Sequence, residues 1–412
     1  MSRVCVLVTQ FFPYGEKTFL TNEIRMLGNT FDRIYIFCFS KSNDNPAPLP
    51  SDVTVIPLAI HEKAFRKVRR FLRGFFDSKI HIENDNIKSR LFSYYSRGCV
   101  SYAYSLIKKY IIKNKCLSSD DSVLFYSYWL NENATTICYL KKHFGKKVRT
   151  SIALSRAHGT DVYSYRRKSN FIPFQKENIS QLDGVYVCSQ NGTNYLRSCY
   201  PEYTDKIHLL HLGTPDYGIK NFTYGKTINF VTCSMIIPVK RVMLFAEAFI
   251  ETIEKKTNIH WYCFGGGYLL QEIKTFIESA SGNEFVTFFG DTPNEMVLDF
   301  YQKNNVFALV NTSSSEGLPV SIMEAMSFGI PCIATNVGGT SDLVNQQNGR
   351  LVDPNISSEE LSKILIEEIN ESPDSYRNKR KNARDTWEST VSEKKNHEKW
   401  RKIILDCFGK DF

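Results

Sequence analysis

Residues 306–339 read VFALVNTSSSEGLPVSIMEAMSFGIPCIATNVGG. Val306–Asn311 is apolar almost from end to end, which is the signature of a strand buried on both faces, and Pro331–Thr335 is a second such run. Between them a polar loop gives way to a helix whose first turn contains Pro319, suited to that place because its amide would have no partner inside the helix anyway. Strand, loop, helix and returning strand make one βαβ unit. The free amides of Gly317, Leu318, Val320 and Ser321 then face the carboxyl end of a parallel sheet, which is an anion site in a doubly wound fold. Glu316 stands just before the helix and Glu324 inside it. A carboxylate beside phosphate-binding amides can accept hydrogen bonds from sugar hydroxyls. A glutamate near a helix start is also favourable with no ligand at all, by about 0.3–1 kcal/mol, so this stretch alone leaves both readings open.

The same alternation extends outward in both directions. Strand candidates are Val4–Thr9, Arg33–Phe39, Val53–Pro57, Val123–Ser127, Val148–Ala153, Val185–Cys188 and Ile207–Leu210, then Ile228–Cys233, His260–Phe264 and Phe285–Phe289 ahead of the opening pair. Helical stretches such as Thr18–Leu27, Asn131–His143, Val242–Thr252, Tyr268–Ser279 and Asn294–Lys303 separate them. Two such series predict an α/β protein of two Rossmann-like domains. The break falls in Gly213–Gly225, where glycines punctuate a polar stretch, placing the domains at 1–213 and 226–386. Residues 387–412 read as one long charged C-terminal helix with Trp400, Ile403, Ile404 and Cys407 on its apolar side.

Composition agrees with a chain of 412 residues that buries more than one core: 42% hydrophobic and 23% charged exclude a disordered or fibrous protein. The net charge of +9 is unevenly spread. Residues 1–210 carry 31 Lys and Arg against 17 Asp and Glu, and residues 211–412 carry 21 against 26. The first half is therefore the one expected to meet an anionic partner. Eleven cysteines without a C-x-x-C pair argue against a disulfide framework or a zinc site, and predict a cytosolic chain. The apolar start is too short for a signal peptide and reads as a buried first strand. No stretch approaches the ~18 apolar residues needed to span a bilayer, so any membrane contact is expected to be peripheral.

Other motifs cluster at strand ends. CSMIIPVKRV (233–242) closes one strand and opens a helix with Lys240 and Arg241, cations that oppose the helix dipole at that end unless an anion is near. In the first half, FFPYGEKTFLTNE (11–23) follows the first strand, and Gly15 permits close backbone approach. SRAHGTD (155–161) places His158 in polar company at another strand's carboxyl end. Gly265–Gly267 fails the dinucleotide fingerprint, because Leu270 stands where a third glycine is required. No Asp-x-Asp occurs, so the sequence suggests no diphosphate-bridging metal.

Glu316-x7-Glu324, with Gly-Leu-Pro inside it and Gly-Ile-Pro and Val-Gly-Gly behind it, resembles the donor site of glycosyltransferase family 4, the retaining GT-B enzymes. The resemblance implies two domains facing across a cleft, with the C-terminal helix crossing back to the first. It implies that Glu316, Gly317, Leu318 and His158 contact the transferred sugar, Glu316 and His158 being catalytic. Glu324 would hold the ribose. Lys240, Arg241, Gly15, Val320 and Ser321 would hold the diphosphate, and Met235 stands where the family has an arginine. Implied too are a UDP- or GDP-linked donor, no metal or other cofactor, and a glycan acceptor carried on undecaprenyl diphosphate. FFPYG, SYW (127–129) and RAHGTD look like bacterial members that build capsule, O-antigen or exopolysaccharide. A non-catalytic nucleotide-sugar-binding protein would need neither Glu316 nor His158, and a nicotinamide oxidoreductase would need the missing fingerprint.

HEKAFRKVRRFLRGFF (61–76) sets Phe65, Val68, Leu72, Phe75 and Phe76 at helical spacing among Lys63, Arg66, Lys67, Arg70 and Arg73. This is the pattern of a basic amphipathic helix on an anionic membrane. It equally suits a packed helix with a solvated basic face. No nucleic-acid motif accompanies the charge. The chain is expected at the inner face of the cytoplasmic membrane.

Overall fold

The computed structural model describes residues 2–15, 17–40, 45–60, 64–76, 87–167, 170–220, 222–223 and 227–409; the side chains of 17–19, 64–67 and 87–88 also lie outside the description. The chain divides into two units, Met1–Leu210 with His397–Phe412, and His211–Asn396.

The first unit is built on a parallel sheet of β1 (Arg3–Thr9), β2 (Arg33–Cys38), β3 (Val53–Pro57), β4 (Ser122–Ser127), β5 (Thr150–Ala157), β6 (Gly184–Val187) and β7 (Ile207–Leu209). Their order is β3-β2-β1-β4-β5-β6-β7. Central β1 pairs with both neighbours, Val6 lying opposite Tyr35 and Phe125, and its apolar side chains are buried on both faces as a parallel sheet requires. Helix α1 (Lys17–Gly28) follows β1; α2 (Ala64–Phe76) and α3 (Ile87–Lys113) lie between β3 and β4. Next come α4 (Glu132–Phe144), α5 (Gln175–Gln181) and α6 (Gln190–Cys199).

The second unit repeats the plan. Strands β8 (Ile228–Cys233), β9 (Ile259–Phe264), β10 (Val286–Gly290), β11 (Val306–Asn311), β12 (Cys332–Thr335) and β13 (Gly349–Val352) are ordered β10-β9-β8-β11-β12-β13 and are all parallel. Its helices are α7 (Val242–Ile253), α8 (Leu270–Ser279), α9 (Asn294–Lys303), α10 (Val320–Ser327), α11 (Ser358–Ile369) and α12 (Pro373–Thr386). In each sheet the order reverses beside the first strand, and ligands of doubly wound folds bind at such a switch point, outside the carboxyl ends.

The C-terminal stretch is not one helix. α12 runs into a wide turn at Trp387–Val391, and α13 (Glu393–Phe408) starts beyond it. The break has a cause in packing: Trp387 is buried, its indole nitrogen donating to Thr214 at 2.8 Å, with the Arg384 guanidinium over its ring. Arg384 in turn holds Asp216 at 2.7 Å. From His397 onward α13 belongs to the first unit. Trp400, Ile404 and Phe408 enter that unit's core beside Tyr126 and Tyr186, and Trp400 donates to the buried Glu23 carboxylate at 3.0 Å. Cys407 is exposed instead.

Candidate functional site

At the switch point of the second sheet, the loops after β8 and β11 are laced together. The first makes a tight turn at Pro238–Lys240, and Arg241 then takes a left-handed conformation, φ +45°, before α7. The Thr312 hydroxyl reaches the carbonyls of Lys240 and Arg241 at 3.1 and 2.9 Å, and the Ser314 amide donates to Val239 at 2.8 Å. Arg241 Nε donates to the Thr312 carbonyl at 2.8 Å, so this guanidinium braces the two loops. Lys240 Nζ lies 2.6 Å from Glu316 Oε1. That oxygen also accepts from Ser313 Oγ at 2.6 Å and Asn311 Nδ2 at 3.3 Å. Three donors on Oε1 orient the carboxylate, and none of these bonds uses Oε2.

Glycine enters here for a steric reason. Gly338 has φ +55°, and a Cβ on it would stand 1.8 Å from the Glu316 carbonyl oxygen. Gly339 then donates to the Gly317 carbonyl at 2.8 Å, fastening the loop after β12 beneath the Glu316 loop. Pro319 proves to be the residue capping α10, not its first helical residue: its backbone is extended, φ −73° and ψ 116°, while its carbonyl accepts from Met323. The sequence boundary is off by one, because a proline's fixed φ suits either place. Val320 and Ser321 thus supply the first helical amides, which no carbonyl of the same helix can satisfy.

Glu324, on α10, is 3% exposed and accepts from Asn294 Nδ2 at 2.9 Å. Burial raises its pKa from 4.5 to about 7, and the Asn294 bond opposes the rise only in part. The Cys233 thiol at the end of β8 is pushed up to about 12 by burial and by Glu324, with Lys240 opposing. Both charged groups therefore act on one strand end. Asn294 carries no functional signal in the sequence, since an asparagine at a helix start reads as an ordinary cap. Gly265–Gly267 forms the strand-to-helix turn after β9, where Gly265 (φ +129°) and Gly267 (φ +152°) let it close on the carbonyls of Ser234 and Ile236.

In the first unit, β5 continues past Ala153 to Ala157, so His158 directly follows the strand. Polar Ser155 and Arg156 hid this continuation, yet both are satisfied inside the fold: Ser155 meets Ser127 at 2.9 Å and Arg156 donates to the Leu210 carbonyl at 3.0 Å. Asp161 accepts from the amides of His158, Gly159 and Leu130 at 2.9–3.0 Å and fixes the loop. The His158 ring lies between Tyr128 and Trp129, centroids 4.6 and 4.7 Å away. Burial lowers its pKa to about 4, with Asp161 opposing. His158 is therefore neutral at pH near 7. Its Nε2 stands 2.9 Å from the Tyr128 carbonyl, an atom that can only accept, so Nε2 carries the proton and Nδ1 is left as an acceptor. Gly15 closes the turn after β1, donating to Phe11 at 3.0 Å.

The basic segment departs from expectation. Lys63 and the side chains of Arg66 and Lys67 lie outside the described residues. Arg70 is buried against α3, so it is not an exposed membrane cation, whereas Arg73 is exposed and bonds to Ser101 and Ser105. Val68, Leu72, Phe75 and Phe76 of α2 face outward instead, while Phe71 is half-buried. Among the described residues no helix is long and apolar enough to cross a membrane.

Residues 219–386 match the family model Glycosyl transferases group 1. The match spans all of β8–β13 and contains Lys240, Glu316 and Glu324. Among curated relatives, the GtfA subunit of a UDP-N-acetylglucosamine–peptide N-acetylglucosaminyltransferase from Streptococcus gordonii is 20% identical over 66% of this chain and 53% of its own. The putative colanic acid biosynthesis glycosyltransferase WcaL of Salmonella typhimurium is 23% identical over 51% of this chain and 53% of its own. The chain spans about half the length, or less, of the first curated relatives it matches. Several solved structures align along nearly the whole chain. Sucrose-phosphate synthase of Thermosynechococcus elongatus has a TM-score of 0.71 at 14% identity, over 98% of this chain and 99% of its own. HepE of Anabaena in complex with UDP has 0.65 at 14%, with the same coverage of both chains. The two Rossmann-like domains are those of the GT-B fold.

Proposed function

We propose that this chain is a retaining, metal-independent glycosyltransferase. It moves a sugar from a UDP- or GDP-linked donor to a glycan acceptor carried on undecaprenyl diphosphate, in bacterial capsule, O-antigen or exopolysaccharide synthesis. The observation that carries the reading is the Lys240–Glu316 pair beside the unsatisfied amides of α10, at the switch point of the second sheet. A cation and a helix start side by side suit a diphosphate. A carboxylate with one oxygen already held suits a sugar. Support for the donor class comes from HepE, solved with UDP and with UDP-glucose, and support for the product class from WcaL.

In this reading Lys240 leaves Glu316 for the donor diphosphate, joined by the amides of Val320 and Ser321; the role proposed for the Gly15 turn, in the first unit, is likewise diphosphate binding. Arg241 acts chiefly by bracing the loop, and it supplies its remaining guanidinium nitrogens in place of the arginine that Met235 replaces. Glu324 accepts from the ribose hydroxyls. Gly317, Leu318 and Glu316 Oε2 position the sugar. The role proposed for His158, in the first unit, is to accept a hydrogen bond from a sugar hydroxyl at Nδ1. The bond from the anomeric carbon to phosphate breaks with its electron pair going to the phosphate oxygen. The acceptor oxygen bonds that carbon on the same face, and its proton passes to the departing phosphate. Lys240 and the amides stabilise the charge that develops. The reaction takes place at the inner face of the cytoplasmic membrane, with the protein bound peripherally. Screening UDP-, GDP- and ADP-sugars for thermal stabilisation and then for turnover tests the proposal. Stabilisation with turnover supports it, stabilisation without turnover makes the chain a binding protein, and neither outcome with any sugar removes the donor site.

A further inference from the structure

Helix α2 is mounted inside out for a solvated helix. Val68, Leu72, Phe75 and Phe76 are exposed, Phe76 by 79%, and Leu91 and Phe92 of α3 extend the same kind of surface. What α2 buries instead is backbone and one cation, with Phe71 half-buried against Tyr94. Gly74 and Gly98 let the two helices touch directly: a Cβ on Gly74 would stand 1.8 Å from the Tyr94 carbonyl oxygen, and one on Gly98 1.8 Å from that of Arg70. Arg97 holds the end of α2, donating to the carbonyls of Gly74 and Phe75. The crossing traps Arg70 at 4% exposure, and neither Nη1 nor Nη2 has a hydrogen-bond partner. Among the described residues it has no ion pair either. A guanidinium taken out of water with two unsatisfied nitrogens is costly, and a planar fork of this kind matches a phosphate.

Beside it lies a cavity of about 80 Å³, room for several waters, lined by Arg69, Arg70, Arg73 and Tyr102. Among the described residues no carboxylate lines it. Arg73 is already aimed: its Nε donates to Ser101 Oγ at 3.0 Å and its Nη2 to Ser105 Oγ at 2.6 Å, with its guanidinium over the Tyr102 ring. Arg70 also meets Tyr95, whose pKa burial raises to about 12 against the arginine's charge and a side-chain hydrogen bond to it.

We propose that this cavity binds the phosphate of an anionic phospholipid headgroup, with Arg70 as its buried anchor and Arg69 and Arg73 at its mouth. The lipid is the source because the same helix exposes Val68, Leu72, Phe75 and Phe76 next to the cavity. These side chains have no use for a free anion but suit the acyl layer beneath a headgroup. The inference rests on the membrane placement proposed above and is independent of the transfer chemistry.

Flotation of the full chain with phosphatidylcholine vesicles, with and without phosphatidylglycerol, tests it, alongside melting curves with inorganic phosphate. Wild type should float only with the anionic vesicles. Arg70→Met should lose binding by about tenfold or more, and Phe76→Ser with Leu72→Ser likewise, whereas Lys146→Gln with Lys147→Gln should not. Without lipid, Arg70→Met should melt no lower than wild type, because it removes a buried charge with two unsatisfied nitrogens and, among the described residues, no ion pair; a lower melting point would make Arg70 structural and overturn the site. Equal flotation of Arg70→Met and wild type would also overturn it. Stabilisation by inorganic phosphate with no flotation would overturn the lipid as the source. Because no nucleotide sugar is present, failure here leaves the donor reading standing, and failure of the donor screen leaves this one.

Discussion

Replacing Glu324 by glutamine separates the cost of its charge from its use. The carboxyl is buried and titrates at about 7 in the native state against 4.5 ordinarily. Between those values the folded chain holds a proton that the unfolded chain releases. Stability therefore falls as pH rises through this window and levels off above the native value. The whole gap, at about 1.4 kcal/mol per pH unit, amounts to about 3 kcal/mol. From about pH 5.5 to about pH 8.5 some 2 kcal/mol of it is expressed, because the unfolded carboxyl is already ionised at the lower end. Glutamine keeps the shape and has no such dependence. Calorimetric melts of the two proteins should draw apart by about 4–8 °C over that range for a unit of this size, glutamine gaining at high pH. If ribose hydroxyls donate to the carboxylate, as proposed, UDP should reverse the preference in wild type: affinity should rise up to about tenfold per unit as pH approaches 7, and then flatten. Melting curves that keep a constant offset across the range would refute the buried, neutralised carboxyl. UDP affinity independent of pH would refute its role at the ribose.

Further outcomes follow from the same geometry. Lys240→Gln should weaken UDP binding by about 10- to 100-fold by calorimetry, the range expected for one charge-assisted contact to phosphate, with nucleosides bound as before. His158→Ala should lower kcat/KM by a comparable factor while leaving UDP affinity intact, and its pKa of about 4 means the activity profile above about pH 5 carries no histidine limb. An acid limb near 7 instead belongs to Glu324, and it should vanish from the binding profile in Glu324→Gln.

Much of the fold was legible because parallel strands buried on both faces are apolar almost throughout, so β1, β4 and β11 stand out from the chain around them. The site was legible where one residue type has one physical use, as with Gly338 against the Glu316 carbonyl or Lys240 at a helix start. Features decided by tertiary partners were not. β5 runs on through Ser155 and Arg156 because Ser127 and the Leu210 carbonyl satisfy them, and no local pattern announces partners that distant. The break at Trp387 depends on Thr214 and Arg384. Helix α3 has no legible apolar stripe because it buries polar Ser93, Ser96 and Arg97 along with Val100, Ala103 and Ile107. Arg70 shows the same limit at the level of function: its charge was plain, but its burial follows from the Gly74–Gly98 crossing.

Release of nucleoside diphosphate from a panel of UDP-, GDP- and ADP-sugars, by wild type and by Glu316→Gln, tests the transferase reading most directly. The structure predicts release from at least one donor by wild type. It predicts a loss of about a hundredfold or more in the variant, with nucleotide binding retained, since Lys240 and the α10 amides remain. Equal release by both proteins, or none from any donor, would contradict it.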